Sequence, residues 1–276
     1  MLRAELDVLV EWAAGEGWNP GLHDAGIFWQ TDPAGFIAAE CDGRMIGGGA
    51  IVSYGGRFGF MGLFIMHPEW RHQGLGNQLW HYRRNALQAR LSAPAAIGMD
   101  GVFAMQAYYA KGGFEFHNRD LRYEGVGVAG APGADVVPLS SVPWERVLAY
   151  DSAHFPAPRP DFLRAWITQP QGQALGVVRD GTLCGYGVVR ACRRGFKIGP
   201  LFAATPEIAD TLFQSLSHHA RGEPLFLDVP ASHAAAVSLA ERHGMHEVFG
   251  CARMYLGPAP RLPETEIFGV TTFELG

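Results

Sequence analysis

An α/β fold built from two copies of one unit is what this sequence predicts, and three observations carry the prediction. Each half opens with a helix and strand-like runs, then switches to helical spacing. A Gly/Ala/Pro-rich run, VGVAGAPGAD at residues 126–135, separates the halves. In each half a short strand ending in aspartate leads into a helix, GMD at 98–100 and FLD at 226–228, as an internal duplication would give.

Taken in order, residues 2–14 set Leu6, Leu9, Val10 and Ala13 on one helical face. EGWNPGLHDAG follows, with Gly, Asn and Pro as breakers. Residues 36–41, 45–54 and 58–66 read as a three-stranded meander, split by Asp42-Gly43 and Gly55-Gly56, dipeptides that favour hairpin turns. After Pro68 the period changes: Leu75, Leu79, Tyr82 and Ala86 share a helical face, with Arg83, Arg84 and Gln88 largely opposite. A strand at 95–99, a helix at 104–111 ended by Gly112-Gly113, and strands at 114–117 and 121–128 close the unit.

The second half offers a helix at 144–150 and strands at 174–179, 183–190 and 196–202. A helix at 206–221, a strand at 225–229, a helix at 232–243 and a strand at 247–256 follow. Asp100 and Asp228 fit as helix N-caps. The tail 267–275 alternates like a strand and is expected to cross back and seal the structure. The expected domains are 1–130 and 131–276.

Composition excludes several function classes. Apolar residues make up 48% and charged residues 18% of the 276, a globular balance rather than a disordered one. No apolar run approaches a membrane span and the start lacks a signal-peptide pattern, so a cytoplasmic protein without membrane contact is expected, as monomer or homodimer. The net charge of −5, without a long basic run, argues against nucleic acid and is compatible with a cationic amine. Cys41, Cys184, Cys192 and Cys251 are scattered, and neither His218-His219 nor His243 and His246 has a carboxylate or thiol at ligand spacing. No metal is expected.

The chemistry concentrates in FMGLFIMHPEWRHQGLGNQLW, residues 60–80, where a strand runs through RxxGxG into an amphipathic helix. Unpaired amides and the helix dipole make such a loop an anion cradle, and Gly74 and Gly76 let a phosphate approach the backbone. Arg71 can add charge at its edge. No Lys-Ser/Thr follows, so it is no P-loop, and the spacing is not that of a Rossmann turn. The segment resembles the acetyl-coenzyme A site of the GNAT family of N-acetyltransferases, whose signature is (Q/R)xxGx(G/A) after a strand ending in a Pro-containing turn: here Arg71, Gln73, Gly74 and Gly76 after His67-Pro68. Further on, QAYYAKGGFEF resembles the second motif of that family, with Tyr109, Gly113 and Phe114 on its Tyr, Gly and Phe.

The resemblance implies two tandem domains, each a mixed, mostly antiparallel twisted sheet flanked by helices. It implies acetyl-coenzyme A as cosubstrate and an amine as acceptor. Phe64, Ile65 and Met66 would pair with the pantetheine arm. The amides of His72, Gln73, Gly74, Leu75 and Gly76 would hold the pyrophosphate, and Tyr109 would protonate the leaving thiolate. Neighbouring Tyr108 is expected to pack inward. Many family members carry a carboxylate base on the strand entering the loop; here that strand reads Met61, Gly62 and Leu63. Asp24 is the first candidate base, with Glu40, a water or none as alternatives, and Trp18 and Asn19 are candidates for a substrate wall. The second half lacks both the Gly-rich loop, reading ATPEIADTL, and the tyrosine, where Ala240 stands. It resembles the degenerate C-terminal half of a bacterial tandem-GNAT group. A small-molecule N-acetyltransferase is thus the leading expectation, beside a non-catalytic acyl-coenzyme A sensor or a protein acetyltransferase.

Overall fold

In the computed structural model residues 1–128, 133 and 135–276 are described. The domain boundary expected near residue 130 lies outside them. The first half runs α1 (Arg3–Gly15), α2 (Asp24–Thr31), β1 (Phe36–Cys41), β2 (Arg44–Ala50), β3 (Val52–Tyr54), β4 (Phe58–Phe60), β5 (Ile65–Met66), α3 (Leu75–Gln88), β6 (Ala96–Val102), α4 (Gln106–Lys111) and β7 (Glu115–Val126). The second runs β8 (Val136–Pro138), α5 (Trp144–His154), α6 (Pro160–Ile167), β9 (Gly172–Arg179), β10 (Thr182–Ala191), β11 (Phe196–Ala203), α7 (Pro206–His219), β12 (Pro224–Pro230), α8 (Ala234–Arg242), β13 (His246–Leu256) and β14 (Ile267–Gly269). Mostly antiparallel sheets flanked by helices are thus the observed architecture. Among the described residues no helix is long and apolar enough to cross a membrane.

The strands form a small sheet, β1-β2-β5, and a long one ordered β3-β4-β6-β13-β7-β12-β11-β10-β9-β8. The centre of the long sheet is an exchange between the halves. β13, late in the chain, lies between β6 and β7, and β7, from the first half, lies between β13 and β12. Each half therefore lends its closing strand to the other. A parallel strand pair in each half, β4 with β6 and β11 with β12, repeats the duplication in space. The largest apolar core is shared as well, joining Leu6, Phe28 and Phe60 to Phe162, Trp166 and Phe273.

Two buried ion pairs sit at matching places in this exchange. Asp100 on β6 faces Arg253 on β13, with both carboxylate oxygens 2.6 Å from guanidinium nitrogens. Asp228 on β12 faces Arg122 on β7, at 2.6 and 2.7 Å. The N-cap reading of these aspartates is thereby corrected: they lie within strands, and each neutralises an arginine from the other half's closing strand.

Local differences have local causes. Residues 45–54 and 58–66 are each broken into two strands, because the chain changes sheet there. On α3 the buried face is Leu79, Trp80, Arg83 and Leu87, whereas Tyr82 is exposed. Arg83 turns inward over Gly49, where a Cβ would fall 2.3 Å from its guanidinium carbon. α2 starts inside the Gly/Pro-rich stretch, and the tail forms only the short strand β14 before continuing as buried irregular chain.

Candidate active site

A strand that leaves its sheet creates the cleft. β4 runs parallel to β6, and the Met61 amide still donates to the Gly98 carbonyl at 2.9 Å. Gly62 then pairs with Ala50 instead, Leu63 adopts φ 50°, and β5 pairs only with β2. A positive φ at leucine is costly, on the order of 1 kcal/mol, and here it accompanies the divergence of β5 from β6. Arg83 braces the branch point by donating to the Ala50 and Gly62 carbonyls at 2.6 and 2.7 Å. Burial lowers its pKa to about 10, which leaves it charged at neutral pH. The resulting wedge has a volume of about 440 Å³ and is lined from both halves.

One end of the wedge offers backbone donors. Gly74 is the N-cap of α3 with φ 79°, and the His72–Gly76 amides have no backbone acceptor among the described residues. The Leu63 and Phe64 amides, at the branch point, likewise have none among the described residues. Gly76 lies against the Met66 side chain, where a Cβ would be 3.3 Å from Met66 Cγ. Phe64, Ile65, Met66, Arg71, His72 and Gly76 line the cleft; Gln73 and Gly74 belong to the adjoining turn and Leu75 opens α3. Arg71 is less free than its position suggests, since it donates to the Met66 carbonyl at 2.9 Å and pairs with Glu16. Donors at both edges of a narrow apolar slot suit a long molecule with phosphates at one end and a polarisable carbonyl at the other.

Tyr109 projects from α4 into the same cleft. Its ring stacks on Trp80 at 6.2 Å and lies over Gly101, where a Cβ would fall 2.4 Å from the ring. Its hydroxyl has no hydrogen-bond partner among the described residues. Burial pushes its pKa up to about 12, with Arg83 opposing the shift, so the phenol keeps its proton at neutral pH. Tyr108 is the more exposed of the pair, contrary to expectation: the glycine on β6 admits the Tyr109 ring, which leaves Tyr108 outward, donating to Asn77 at 2.7 Å.

The far end of the wedge is built largely by the second half. Phe249 and Cys251 come from β13, Phe273 and Glu274 from the tail, and Trp18 from the turn after α1. Trp18 is thus placed in the cleft as expected. Asn19 is not: it bonds the backbone of Arg194 at 3.0 and 2.8 Å. Asp24 is corrected too. It is fully buried, accepts from the Gly21 amide at 2.7 Å, pairs with Arg190 at 3.1 Å and does not line the cleft, so it joins the halves. Glu40 is exposed on β1 and also lies off the cleft. The cleft residues from 249 to 274 escape sequence reasoning because only the strand exchange brings them here; the alternating tail was their one signal. The tail crosses Gly62 so closely that a Cβ there would be 1.8 Å from the Glu274 carbonyl oxygen. Gly62→Ala is expected to cost about 1–3 kcal/mol by overpacking, read as a lowered thermal midpoint.

In the second half the corresponding wedge is filled. β14 pairs with the end of β11, and the Val270 amide donates to the Asp228 carbonyl of β12 at 2.9 Å. The start of α7 is closed off by Pro206 and by the Thr205 hydroxyl, which accepts from the Ile208 amide at 3.4 Å.

Comparison with known proteins agrees with this duplication. A family model described as the acetyltransferase (GNAT) family matches residues 4–114, and one described as an acetyltransferase (GNAT) domain matches residues 147–269. The chain is similar to a holothin acyltransferase of Pseudoalteromonas, 25% identical over 277 residues that cover 99% of this chain and 92% of that protein. It is also similar to the uncharacterized N-acetyltransferase YitH of Bacillus subtilis, 24% identical over 70% of this chain and 67% of that protein. Among solved structures, a putative acetyltransferase from Pyrococcus horikoshii superposes with a TM-score of 0.85 at 20% identity, covering 100% of this chain and 94% of the other. A tandem GNAT protein from the clavulanic acid biosynthesis pathway superposes with a TM-score of 0.63 at 14% identity, covering 94% of this chain and 98% of the other.

Proposed function

The chain belongs to the GNAT acetyltransferase family, carries two of its domains in tandem and is an acyltransferase; from that premise we propose that it moves an acetyl group from acetyl-coenzyme A to a primary amine of a small molecule, with Tyr109 as general acid. Residues 1 to about 130 carry the catalysis, and residues 131–276 form the wall of the acceptor cleft. The observation that carries this reading is the open wedge between β5 and β6, with unpaired amides at both edges and a protonated phenol inside.

In this reading the His72–Gly76 amides hold the pyrophosphate and β5 accompanies the pantetheine arm. The Leu63 and Phe64 amides face the thioester carbonyl and stabilise the oxygen as it gains charge. Tyr109 gives its proton to the departing sulfur. A small acceptor is favoured over a protein because Phe249, Cys251, Phe273 and Glu274 wall the acceptor end. Similarity to a protein named holothin acyltransferase supports acyl transfer. The filled wedge of the second half leaves one catalytic centre per chain.

Calorimetric titration with acetyl-coenzyme A tests the cradle. Wild type is expected to bind with a micromolar constant, and Gly74→Glu to bind at least about tenfold more weakly, from left-handed strain and a carboxylate at the start of α3. Equal affinity of the two proteins would remove the cradle from this account.

A further inference from the structure

We propose that Glu274, on the C-terminal tail, is the base of the reaction, taking the proton from an ammonium group whose apolar body lies against Trp18, Phe249 and Phe273. The inference rests on the acyl-transfer reading above and supplies the carboxylate that the strand Met61-Gly62-Leu63 lacks. Glu274 lines the cleft although the residue is only 3% exposed. One carboxylate oxygen accepts from the Thr272 hydroxyl; the other, Oε1, makes no hydrogen bond among the described residues. That leaves Oε1 able to accept from a donor that enters the cleft.

Its position explains the missing strand carboxylate. The Glu274 carbonyl and Cα stand against Gly62, so the tail occupies the space a side chain on that strand would take. The tail is fixed upstream as well, because β14 is held between β11 and β12. The segment that fills the second wedge thus delivers a carboxylate to the first.

The charged and titratable groups facing Glu274 come from several strands: Asp100 on β6, Arg122 on β7, Arg190 on β10 and Lys197 on β11. Asp100, Arg122 and Arg190 are engaged in the buried pairs already described, and Lys197 is fully enclosed. Cys251 and Tyr109 share the cleft. Glu16 in the same cleft pairs with Arg71, whereas Glu274 forms no salt bridge among the described residues.

The proton balance closes. The ammonium gives one proton to Glu274, and the freed nitrogen forms the N–C bond to the thioester carbon. The C–S bond breaks and the sulfur takes the Tyr109 proton. The second proton lost from nitrogen restores the phenol through solvent, and Glu274 releases its own, leaving amide, free thiol and one proton.

The test compares wild type with Glu274→Gln, whose amide oxygen still accepts from Thr272, using acetyl-coenzyme A and 2-phenylethylamine. Thiol release is followed against pH, and amine binding is followed separately by calorimetry in the presence of coenzyme A. Expected are a kcat/KM lower by about a hundredfold at neutral pH and amine binding weakened about tenfold. The variant should also regain about tenfold activity per pH unit toward the pKa of the amine, near that of lysine. A purely structural role would not produce that recovery. Turnover by the variant at the wild-type rate, with the same pH profile, overturns the role of Glu274 and leaves the transfer reading standing. No turnover by wild type, with amine binding that still depends on Glu274, sinks the transfer reading while keeping the carboxylate's contact. No turnover and equal amine binding overturn both.

Discussion

Tyr109→Phe is expected to lower kcat about a hundredfold or more, while the affinity for acetyl-coenzyme A stays within about twofold of wild type. The ring would keep its stacking on Trp80 and its seat over Gly101, because only the hydroxyl is removed. That hydroxyl has no protein partner among the described residues, so little folding stability goes with it. The loss should therefore appear in the chemical step. A phenol held at a pKa of about 12 by burial is protonated across the working range, so the acid itself should add no basic limb to the wild-type profile below pH 10. A Tyr109→Phe enzyme with unchanged kcat would shift the role to a water or to Tyr108, which lines the same cleft. Tyr108→Phe is the natural control, since it removes only a hydroxyl that donates to Asn77.

The second large effect is on stability. Arg122→Leu is expected to cost about 3–5 kcal/mol, seen as a lower urea midpoint, because Asp228 would remain buried without its bidentate partner. Burial alone would raise the Asp228 carboxyl; Arg122 and then Lys197 outweigh it and hold the pKa below the ordinary value. A depressed folded value means that this share of stability is present above the unfolded carboxylate pKa. It is lost as the pH falls through the folded one. Arg122 also donates to the Trp18 carbonyl at 2.6 Å, so the variant should loosen the acceptor wall too. The double change Arg122→Leu with Asp228→Leu should recover most of the loss, since two apolar residues in place of a buried pair are often tolerated. No recovery would show that the loss comes from packing rather than from the stranded charge.

Local structure was legible in the sequence where neighbours along the chain decide it. The cradle needs Gly74, Gly76 and the start of one helix, all within a few residues, and Tyr109 lies on the helix that its motif marks. The strands of the second half were readable because their apolar runs are bounded by turns and packing on both faces suits them. Long-range partners were not. Asp100 and Asp228 precede helices and so look like caps, yet their partners lie 153 and 106 residues away on exchanged strands. Asp24 looks like a loop carboxylate facing a cleft, yet Arg190, 166 residues on, claims it. Arg83 sits one position from Tyr82, and only the missing side chain at Gly49 decides which of them turns inward. Glu274 carried no signal beyond the alternation of the tail.

The traded strands act as a ratchet on the molecule's history. With β7 and β13 interleaved, removing the second half takes away a central rung between β6 and β7 rather than an accessory lobe. Such a chain keeps its second copy because the first is hydrogen-bonded through it. The second copy's strands are bound by registry whatever its loops contribute to the chemistry. Gene fission between β7 and β8 would accordingly yield two polypeptides that must find each other before either acquires a complete sheet.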